Sequence, residues 1–258
     1  MFDFHIHSRV SFDSEESPEN IVRAAEARGL AEICFTDHYD HHIDPGGAHD
    51  IFTLDEYAAA YDGLDSERVL IRRGVEMGLT DWNKNAISEF LATRKFDYVI
   101  GSAHWVGNAD PYFIEFWDCD DPFLKYLLGV REYVRLHDDF DVLGHLTYVC
   151  KAPHNPQKRA FRYEEYPEIC DDIMKTLAKK GKGMEINTSG MARVGEFLPS
   201  RDFLERFHEL GGRIVTVGSD AHSADRVGEN TEMAAKLAAD IFGYVCTFEE
   251  REPIFHKI

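Results

Sequence analysis

Short apolar runs rich in β-branched residues alternate along the chain with longer stretches in which apolar residues recur at helical spacing. This alternation is typical of repeated strand–helix units that build a largely parallel sheet. We predict seven strands, over residues 2–7, 32–36, 69–76, 97–101, 141–145, 183–187 and 213–219. The pattern therefore predicts an α/β protein.

Helices are predicted between the strands, over residues 17–29, 54–65, 84–94, 122–137, 163–180, 200–210 and 231–239. The first has the clearest limits, because Ser17 is a capping residue, Pro18 takes the first helical position and Gly29 ends the helix. Residues 39–53, rich in His, Asp and Gly, and 106–121, rich in aromatic residues and Asp, interrupt the alternation. Both follow predicted strands, so we expect them to form loops over a site.

The length and composition favour one globular domain spanning residues 1–258, since 258 residues suit a single barrel of strands and helices. The chain has no apolar run of about 18 residues, and its first residues read as a strand rather than a leader. The five cysteines are widely spaced and form no C-x-x-C motif, which disfavours a disulfide framework. We therefore expect a cytoplasmic protein with no membrane partner.

The formal net charge of −19 repels long polyanions and argues against a long nucleic acid or an anionic membrane as partner. A small phosphorylated substrate is compatible with this charge, because bound metal ions can supply positive charge inside an acidic protein. The sequence leaves the oligomeric state open.

Side chains that can bind metal ions stand at the carboxyl ends of nearly all the predicted strands. His5 and His7 lie two residues apart on the first strand, so their imidazoles point to the same face. Later strands end at or near His38, Glu76, His104, His145, Asp220 and His222. In a barrel of parallel strands all these ends meet on one face, which is where such folds place their active sites.

About nine candidate ligands result if Asp13 is included, more than the four to six that one ion needs, so we predict two to three divalent ions. Imidazole and carboxylate ligands suit zinc, manganese or iron. Glu76 is the natural bridge because a carboxylate has two oxygens. We interpret the histidines outside the strand ends as structural: His41, His42, His49, His137, His154, His208 and His256.

Taken together, these motifs resemble the PHP (polymerase and histidinol phosphatase) superfamily, and within it the stand-alone histidinol-phosphate phosphatases. The resemblance spans nearly the whole chain and rests on His5-Ile6-His7-Ser8 with Asp13, Thr36-Asp37-His38, Gly74-Val75-Glu76, Gly101-Ser102-Ala103-His104, Gly144-His145, Glu185-Ile186-Asn187-Thr188-Ser189-Gly190 and Gly218-Ser219-Asp220-Ala221-His222. It implies a distorted seven-stranded (β/α) barrel, TIM-barrel-like, with a trinuclear metal centre.

The resemblance also implies how the ligands divide among the ions. One ion is expected at His5, His7, Glu76 and Asp220, a second at Glu76, His104 and His145, and a third at Asp13, His38 and His222. Aspartate at position 13, where many members have histidine, is similar to the histidinol-phosphatase branch. This hard oxygen ligand favours manganese or iron at the third position.

The substrate contacts are expected among basic residues near the strand ends. The segment 187–190 resembles the histidinol-phosphatase branch, but the basic residue that follows it there is displaced here to Arg193. Lys151, in the region after the fifth strand, is the second candidate contact. The aromatic stretch 106–121 matches no family pattern, and it either reshapes the pocket or packs a loop onto the barrel.

The resemblance implies hydrolysis of a small phosphomonoester, L-histidinol phosphate to L-histidinol and phosphate, by a hydroxide held on the metal ions. Glu76, Asp220 and His222 are the candidate catalytic residues, and either Asp220 or His222 can move a proton. Asp37 either orients the imidazole of a metal ligand beside it or caps the following loop.

Other functions stay open at this stage. One is a PHP phosphoesterase that acts on nucleotides, oligonucleotide ends, phosphotyrosine or sugar phosphates. Another is a noncatalytic metal-binding barrel, since a fold does not guarantee activity, although the complete set of candidate ligands speaks against it. Hydrolysis of a C–N bond by a related barrel calls for a carboxylated lysine, and no predicted strand ends in lysine.

Overall fold

The computed structural model describes residues 1–41, 50–107 and 109–258. Its main sheet contains β1 (Phe2–Ile6), β2 (Glu32–Phe35), β3 (His38–Tyr39), β4 (Leu70–Gly78), β5 (Tyr98–Ser102), β6 (Val142–Leu143), β7 (Gly183–Asn187) and β8 (Val215–Gly218). The strands pair in parallel in the order β1-β2-β4-β5-β6-β7-β8, and the two-residue strand β3 pairs with β4. All seven predicted strands are present.

The sheet closes into a barrel where β1 meets the residues that follow β8. The amide of His7 donates to the carbonyl of Ala221 at 2.9 Å, and the amide of Asp220 donates to the carbonyl of His5 at 2.8 Å. These bonds lie beyond the end of β8, so the closure is less regular than the other strand pairs. The prediction of a distorted seven-stranded (β/α) barrel is confirmed.

Helices pack around this barrel: α1 (Pro18–Ala27), α2 (Leu54–Tyr61), α3 (Lys84–Leu91), α4 (Pro122–Leu136), α5 (Pro167–Lys180), α6 (Met191–Val194), α7 (Arg201–Glu209) and α8 (Thr231–Phe242). Ser17 caps α1 as predicted, accepting the amide hydrogen of Asn20 at 3.2 Å. α5 begins four residues later than predicted, because Pro167 takes its first position and a 3-10 turn precedes it. Across the described ranges, no helix is long and apolar enough to cross a membrane.

Residues 243–258, which follow the last predicted helix and strand, contain an antiparallel hairpin of β9 (Val245–Glu249) and β10 (Glu252–His256). Its buried Phe248 lies against Tyr98, with the ring centres 4.9 Å apart. Phe248 and Tyr98 belong to a small apolar cluster with Phe4, Cys34, Ile100 and Val142. Since Tyr98 and Val142 begin their strands, the hairpin covers the amino end of the barrel and leaves the carboxyl end to the site.

Candidate metal centre

Glu76, on β4, occupies the middle of the predicted ligand cluster and is fully buried. Its Oε1 lies 2.9 Å from His145 Nε2 and 3.2 Å from His104 Nε2. Its Oε2 lies 3.1 Å from both His5 Nε2 and His38 Nδ1. One carboxylate therefore faces imidazoles from several strands, which is the geometry expected of a bridging ligand.

Asp220 closes the opposite side of the cluster, just after β8. Its backbone has a φ of 57°, a left-handed conformation that is uncommon for non-glycine residues, although aspartate adopts it more readily than most. Its Oδ1 lies 3.4 Å from His7 Nε2 and 3.7 Å from His5 Nε2. The unusual backbone therefore turns this carboxylate towards the two imidazoles of β1.

Asp13 and His222 form the outer edge of the cluster and are about one third exposed. Asp13 Oδ2 lies 2.9 Å from His222 Nε2 and 3.6 Å from His38 Nε2. The ring of His222 stacks on that of His7 with centres 4.1 Å apart. These side chains leave this part of the cluster open to solvent.

The donor set fits divalent metal ions. Three buried imidazole nitrogens of this cluster make no hydrogen bond of good geometry within the described part of the chain: His7 Nε2, His38 Nδ1 and His145 Nδ1. Buried polar atoms nearly always have a partner, and a cation supplies one for an imidazole lone pair. Sets of ligand atoms lie within 4.8 Å of one another in four groups: His7, Asp13, His38 and His222; His5, Glu76 and His145; His5, His7 and Asp220; and His38, Asp40 and His104.

All the predicted ligands fall in these groups, and Asp40 joins them. The first and third predicted ion sites correspond closely to two of the groups. In the group around the second site, His5 stands with Glu76 and His145, whereas His104 lies with His38 and Asp40. The structure thus brings the predicted residues together, while their division among ions stays a prediction.

The carboxylates at the centre keep their negative charge. Burial raises the pKa of Glu76, but the neighbouring imidazoles, His5 and His104 first, outweigh burial and hold that pKa well below its usual range. Burial likewise raises the pKa of Asp220, but the ammonium of Lys151 and the neighbouring imidazoles, His5 first, outweigh burial and hold that pKa well below its usual value. Two ionised carboxylates thus face the imidazole nitrogens, which favours a bound cation.

His7 is held neutral by its surroundings. Burial and the neighbouring His222 and His38 lower its pKa well below the usual value. A neutral imidazole is the form that binds a metal ion, because only this form has a free lone pair. The environment of His7 therefore suits a ligand.

Two buried acidic residues contact ligand imidazoles and were not assigned a role from the sequence. Glu185 Oε1 lies 2.6 Å from His5 Nδ1, and Asp40 Oδ2 lies 2.6 Å from His104 Nδ1. Glu185 belongs to the motif of residues 185–190 and lies on β7, between strands that carry candidate ligands. This position in the sequence could have indicated a role at the metal centre. Asp40 lies in the irregular stretch 39–53, where the sequence carries no pattern that would indicate its neighbour.

Asp37 does not contact the candidate ligand beside it in the sequence, His38, and reaches another, His7, only through a serine. Its carboxylate accepts the amide hydrogen of Ser8 at 2.7 Å, the hydroxyl of Ser11 at 3.1 Å and the hydroxyl of Tyr61. Ser11 Oγ in turn lies 3.0 Å from His7 Nδ1. Asp37 thus holds the loop after β1 and reaches a ligand imidazole only through a serine.

A cavity of about 360 Å³ opens above the cluster. Its lining includes the aromatic residues Phe12, Trp105, Tyr112, Phe113 and Tyr148. Residues of the stretch 106–121 therefore shape the cavity, while Phe116 of the same stretch is fully buried in the core. This stretch therefore does both things that the sequence allowed: part of it shapes the pocket, and part of it packs onto the barrel. His42 and His49 lie outside the described residues.

Lys151 lines this cavity, whereas Arg193 does not. Lys151 Nζ lies 2.5 Å from Asp220 Oδ2 and 3.0 Å from Ser189 Oγ. Burial lowers the pKa of Lys151, but the charge of Asp220 outweighs it, so the pKa rises above its usual value and the ammonium persists. Arg193 is exposed on α6, and its contact with substrate stays a prediction.

Comparison with known proteins identifies the relatives of this chain. It is 35% identical over 239 residues to a histidinol-phosphatase of Lactococcus lactis, covering 87% of this chain and 85% of that protein. It is 30% identical over 256 residues to a probable histidinol-phosphatase of Clostridium acetobutylicum, covering 97% and 98% of the two chains.

A crystal structure of histidinol phosphate phosphatase from Lactococcus lactis, complexed with zinc, L-histidinol and phosphate, shares this fold. The two structures have a TM-score of 0.89 and 32% sequence identity, and the match covers 98% of each chain. The PHP domain family itself matches residues 3–189, which include most of the ligand cluster described above. With the barrel and its imidazole–carboxylate cluster, these matches show that the chain belongs to the PHP domain family.

Proposed function

We propose that this protein is a metal-dependent phosphomonoester hydrolase that converts L-histidinol phosphate to L-histidinol and phosphate. The observation that carries the proposal is the match over 98% of both chains to a phosphatase structure that holds zinc, L-histidinol and phosphate. The cluster around Glu76 supports it independently, because it brings imidazoles and ionised carboxylates together at the carboxyl ends of the barrel strands.

The chain's own residues would hold the ions in the division that the family resemblance implies. His5, His7, Glu76 and Asp220 would bind one ion, Glu76, His104 and His145 a second, and Asp13, His38 and His222 a third. Zinc, manganese or iron suits these ligands. When bound, such ions lower the pKa of water and offset negative charge on phosphate oxygens.

Lys151 would bind the phosphoryl group of the substrate. Its ammonium lies in the lining of the cavity, close to the cluster and next to the ring of Tyr148, whose centre lies 5.2 Å from Nζ. A cation in this position adds to the attraction for a dianionic phosphate in an otherwise acidic protein. The aromatic side chains around it exclude water from the bound ester.

A proton must reach the leaving oxygen of the ester when the bond to phosphorus breaks. Asp220 and His222 are the candidates, because both line the cavity and lie within the cluster. His222 is the more exposed of the two, and Asp220 is engaged by Lys151. Because Asp220 stays ionised and has no proton to donate, His222 is the better candidate for the acid.

The test is to purify the protein without chelators, measure its bound metals and assay phosphate release. L-histidinol phosphate would be compared with nucleoside monophosphates, sugar phosphates and phosphotyrosine. We expect two to three divalent ions per chain, loss of activity with a chelator, and at least about a 100-fold preference in kcat/KM for L-histidinol phosphate. Faster release from another ester would refute the substrate, and a metal-loaded protein that hydrolyses no ester would refute the hydrolase.

A further inference from the structure

Two carboxylates outside the predicted ligand set each contact the far nitrogen of a ligand imidazole. Asp40 Oδ2 lies 2.6 Å from Nδ1 of His104, and Glu185 Oε1 lies 2.6 Å from Nδ1 of His5. The other nitrogens of these two rings, both Nε2, face Glu76 at 3.2 and 3.1 Å. The two dyads are therefore built alike, although they come from different strands.

A neutral imidazole carries one hydrogen, and an ionised carboxylate can only accept it. An acceptor at Nδ1 therefore favours the tautomer with the hydrogen on Nδ1 and the lone pair on Nε2. In both dyads that lone pair points to the centre of the cluster. The carboxylates also restrict rotation of the rings about their side-chain bonds.

Glycines leave the space that the two carboxylates occupy. A Cβ at Gly78 would lie 2.5 Å from Asp40 Oδ1 and 2.7 Å from its Cγ. A Cβ at Gly218 would lie 2.5 Å from Glu185 Oε1. No larger residue fits at either position unless the carboxylate moves, so the backbone of β4 and β8 fixes where each carboxylate lies.

Glu185 also connects two parts of the cluster. Its Oε2 accepts the amide hydrogen of His145 at 2.8 Å and a hydrogen from Asn187 Nδ2 at 3.2 Å. The same side chain thus holds the ring of His5 and the backbone of a second predicted ligand. Glu185 is 1% exposed and Asp40 is 3% exposed, so water has little access to these carboxylates and does not compete for their contacts with the imidazoles.

We propose that Asp40 and Glu185 are positioning residues that hold His104 and His5 with the hydrogen on Nδ1 and Nε2 directed at the metal centre. The inference rests on the proposed metal-dependent function only in requiring that the cluster binds ions. Loss of such a partner typically costs 10- to 100-fold in metal affinity.

The first test measures zinc binding by the metal-stripped protein, in competition with a chromogenic chelator and without substrate. We expect Asp40→Asn and Glu185→Gln to weaken zinc affinity by about 10- to 100-fold with the stoichiometry unchanged. Asp40→Ala should weaken it further than Asp40→Asn, because asparagine keeps one acceptor oxygen. Gly78→Ala should also weaken zinc binding, although it removes no polar group.

The matched control is Asp141→Asn. Asp141 is a buried carboxylate that accepts the amide hydrogen of Val99 at 2.8 Å and pairs with Arg251 at 2.5 Å, and it contacts no imidazole among the described residues. Its variant should change the unfolding temperature and leave zinc affinity as in the wild type. A matching loss of zinc affinity in this control would mean that general destabilisation explains the effect, and would overturn the proposal.

A second measurement uses the unaltered chain and is independent of variant folding. In the zinc-loaded protein labelled with ¹⁵N-histidine, we expect His5 and His104 to carry their hydrogen on Nδ1. Hydrogen on Nε2 in either ring overturns the proposal, as does wild-type zinc affinity in Asp40→Asn and Glu185→Gln. Loss of one zinc equivalent in Asp40→Asn would make Asp40 a ligand and also overturn it.

These outcomes separate the inference from the proposed function. If zinc affinity falls as expected but L-histidinol phosphate is not hydrolysed by the wild type, the positioning role stands and the substrate is wrong. If the wild type hydrolyses the substrate but the variants bind zinc normally, the function stands and the positioning role is wrong.

Discussion

At the scale of single residues, the site depends on how one carboxylate is surrounded. Glu76 presents Oε1 to His104 and His145, and Oε2 to His5 and His38. Ser102 Oγ also donates a hydrogen bond to Oε1 at 2.6 Å, which fixes the carboxylate plane. Both oxygens of Glu76 face imidazoles, so a bridging role requires the negative charge and both oxygen atoms of this side chain.

Replacing Glu76 by glutamine should therefore lower kcat/KM by at least about 100-fold while the chain still folds. The amide removes the negative charge and replaces one oxygen by an NH₂ group, which cannot bind a cation. Steady-state kinetics, metal content and circular dichroism would be compared with the exposed control Glu232→Gln, whose carboxylate pairs with Lys236. Wild-type turnover with a full complement of metal in Glu76→Gln would contradict the bridging role.

At the scale of elements, local pattern accounts for the seven strands but not for the C-terminal hairpin. A hairpin with a two-residue turn can usually be recognised in a sequence by Asn-Gly or Asp-Gly, because these residues tolerate positive φ. Here the turn residues are Glu250 and Arg251, with φ of 47° and 70°. Because these residue types give no turn signal, the two short strands could not be recognised from the sequence.

The hairpin should matter for stability and not for the chemistry, since it covers the end of the barrel opposite the cluster. We expect Phe248→Ala to lower the free energy of unfolding by about 3–5 kcal/mol, because this ring is 1% exposed and packs inside the barrel. The control is Phe255→Ala on the same hairpin, which is 50% exposed and should change stability by less than about 0.5 kcal/mol.

Urea unfolding would measure both variants, and kcat would be determined below their unfolding transitions. Equal destabilisation by the two substitutions would show that Phe248 does not fill the barrel. A large fall in kcat for the folded Phe248→Ala protein would show that the two ends of the barrel are coupled.

At the scale of the whole molecule, the barrel depends on the junction where its first and last strands meet. Asp3, on β1, lies at this junction and is fully buried. Its carboxylate accepts the amide of Ser219 at 2.8 Å, the hydroxyl of Ser219 at 2.6 Å and the amide of Gly228 at 2.7 Å. Burial raises the pKa of Asp3 to about 6, and these hydrogen bonds limit the rise.

The raised pKa of Asp3 makes stability depend on pH in a defined direction. Since the usual value is 3.8, the folded state binds the proton more tightly than the unfolded chain. The stabilising contribution is complete below about pH 4 and is lost as pH rises through about 6, by up to about 3 kcal/mol. Asp3→Asn, which does not titrate, lacks this change.

We therefore expect the free energy of unfolding of the wild type, minus that of Asp3→Asn, to fall between pH 4 and pH 7.5. Urea unfolding with a chelator present would measure it, so that metal binding does not contribute to the difference. A difference that stays flat or rises with pH would contradict the raised pKa.

The sequence by itself determined the barrel and most of the candidate ligand set. The spacing of apolar residues along the chain indicates which segments are strands or helices and which of their faces are buried. Parallel strands in a barrel bring their carboxyl ends to one face, regardless of the loops that connect them. His5 and His7 could be assigned to one face because side chains alternate along a strand. For these reasons the candidate ligands could be named from the sequence alone.

Only the tertiary structure decided which groups touch. Asp40 meets His104, and Glu185 meets His5, across 64 and 180 positions of sequence, and no local pattern records such a pairing. Lys151 and Arg193 looked alike as basic residues near strand ends, yet only Lys151 lines the cavity. The physical reason is that periodicity reports which face a residue occupies, whereas contact between side chains depends on strand order, barrel closure and the space that neighbours such as Gly78 leave.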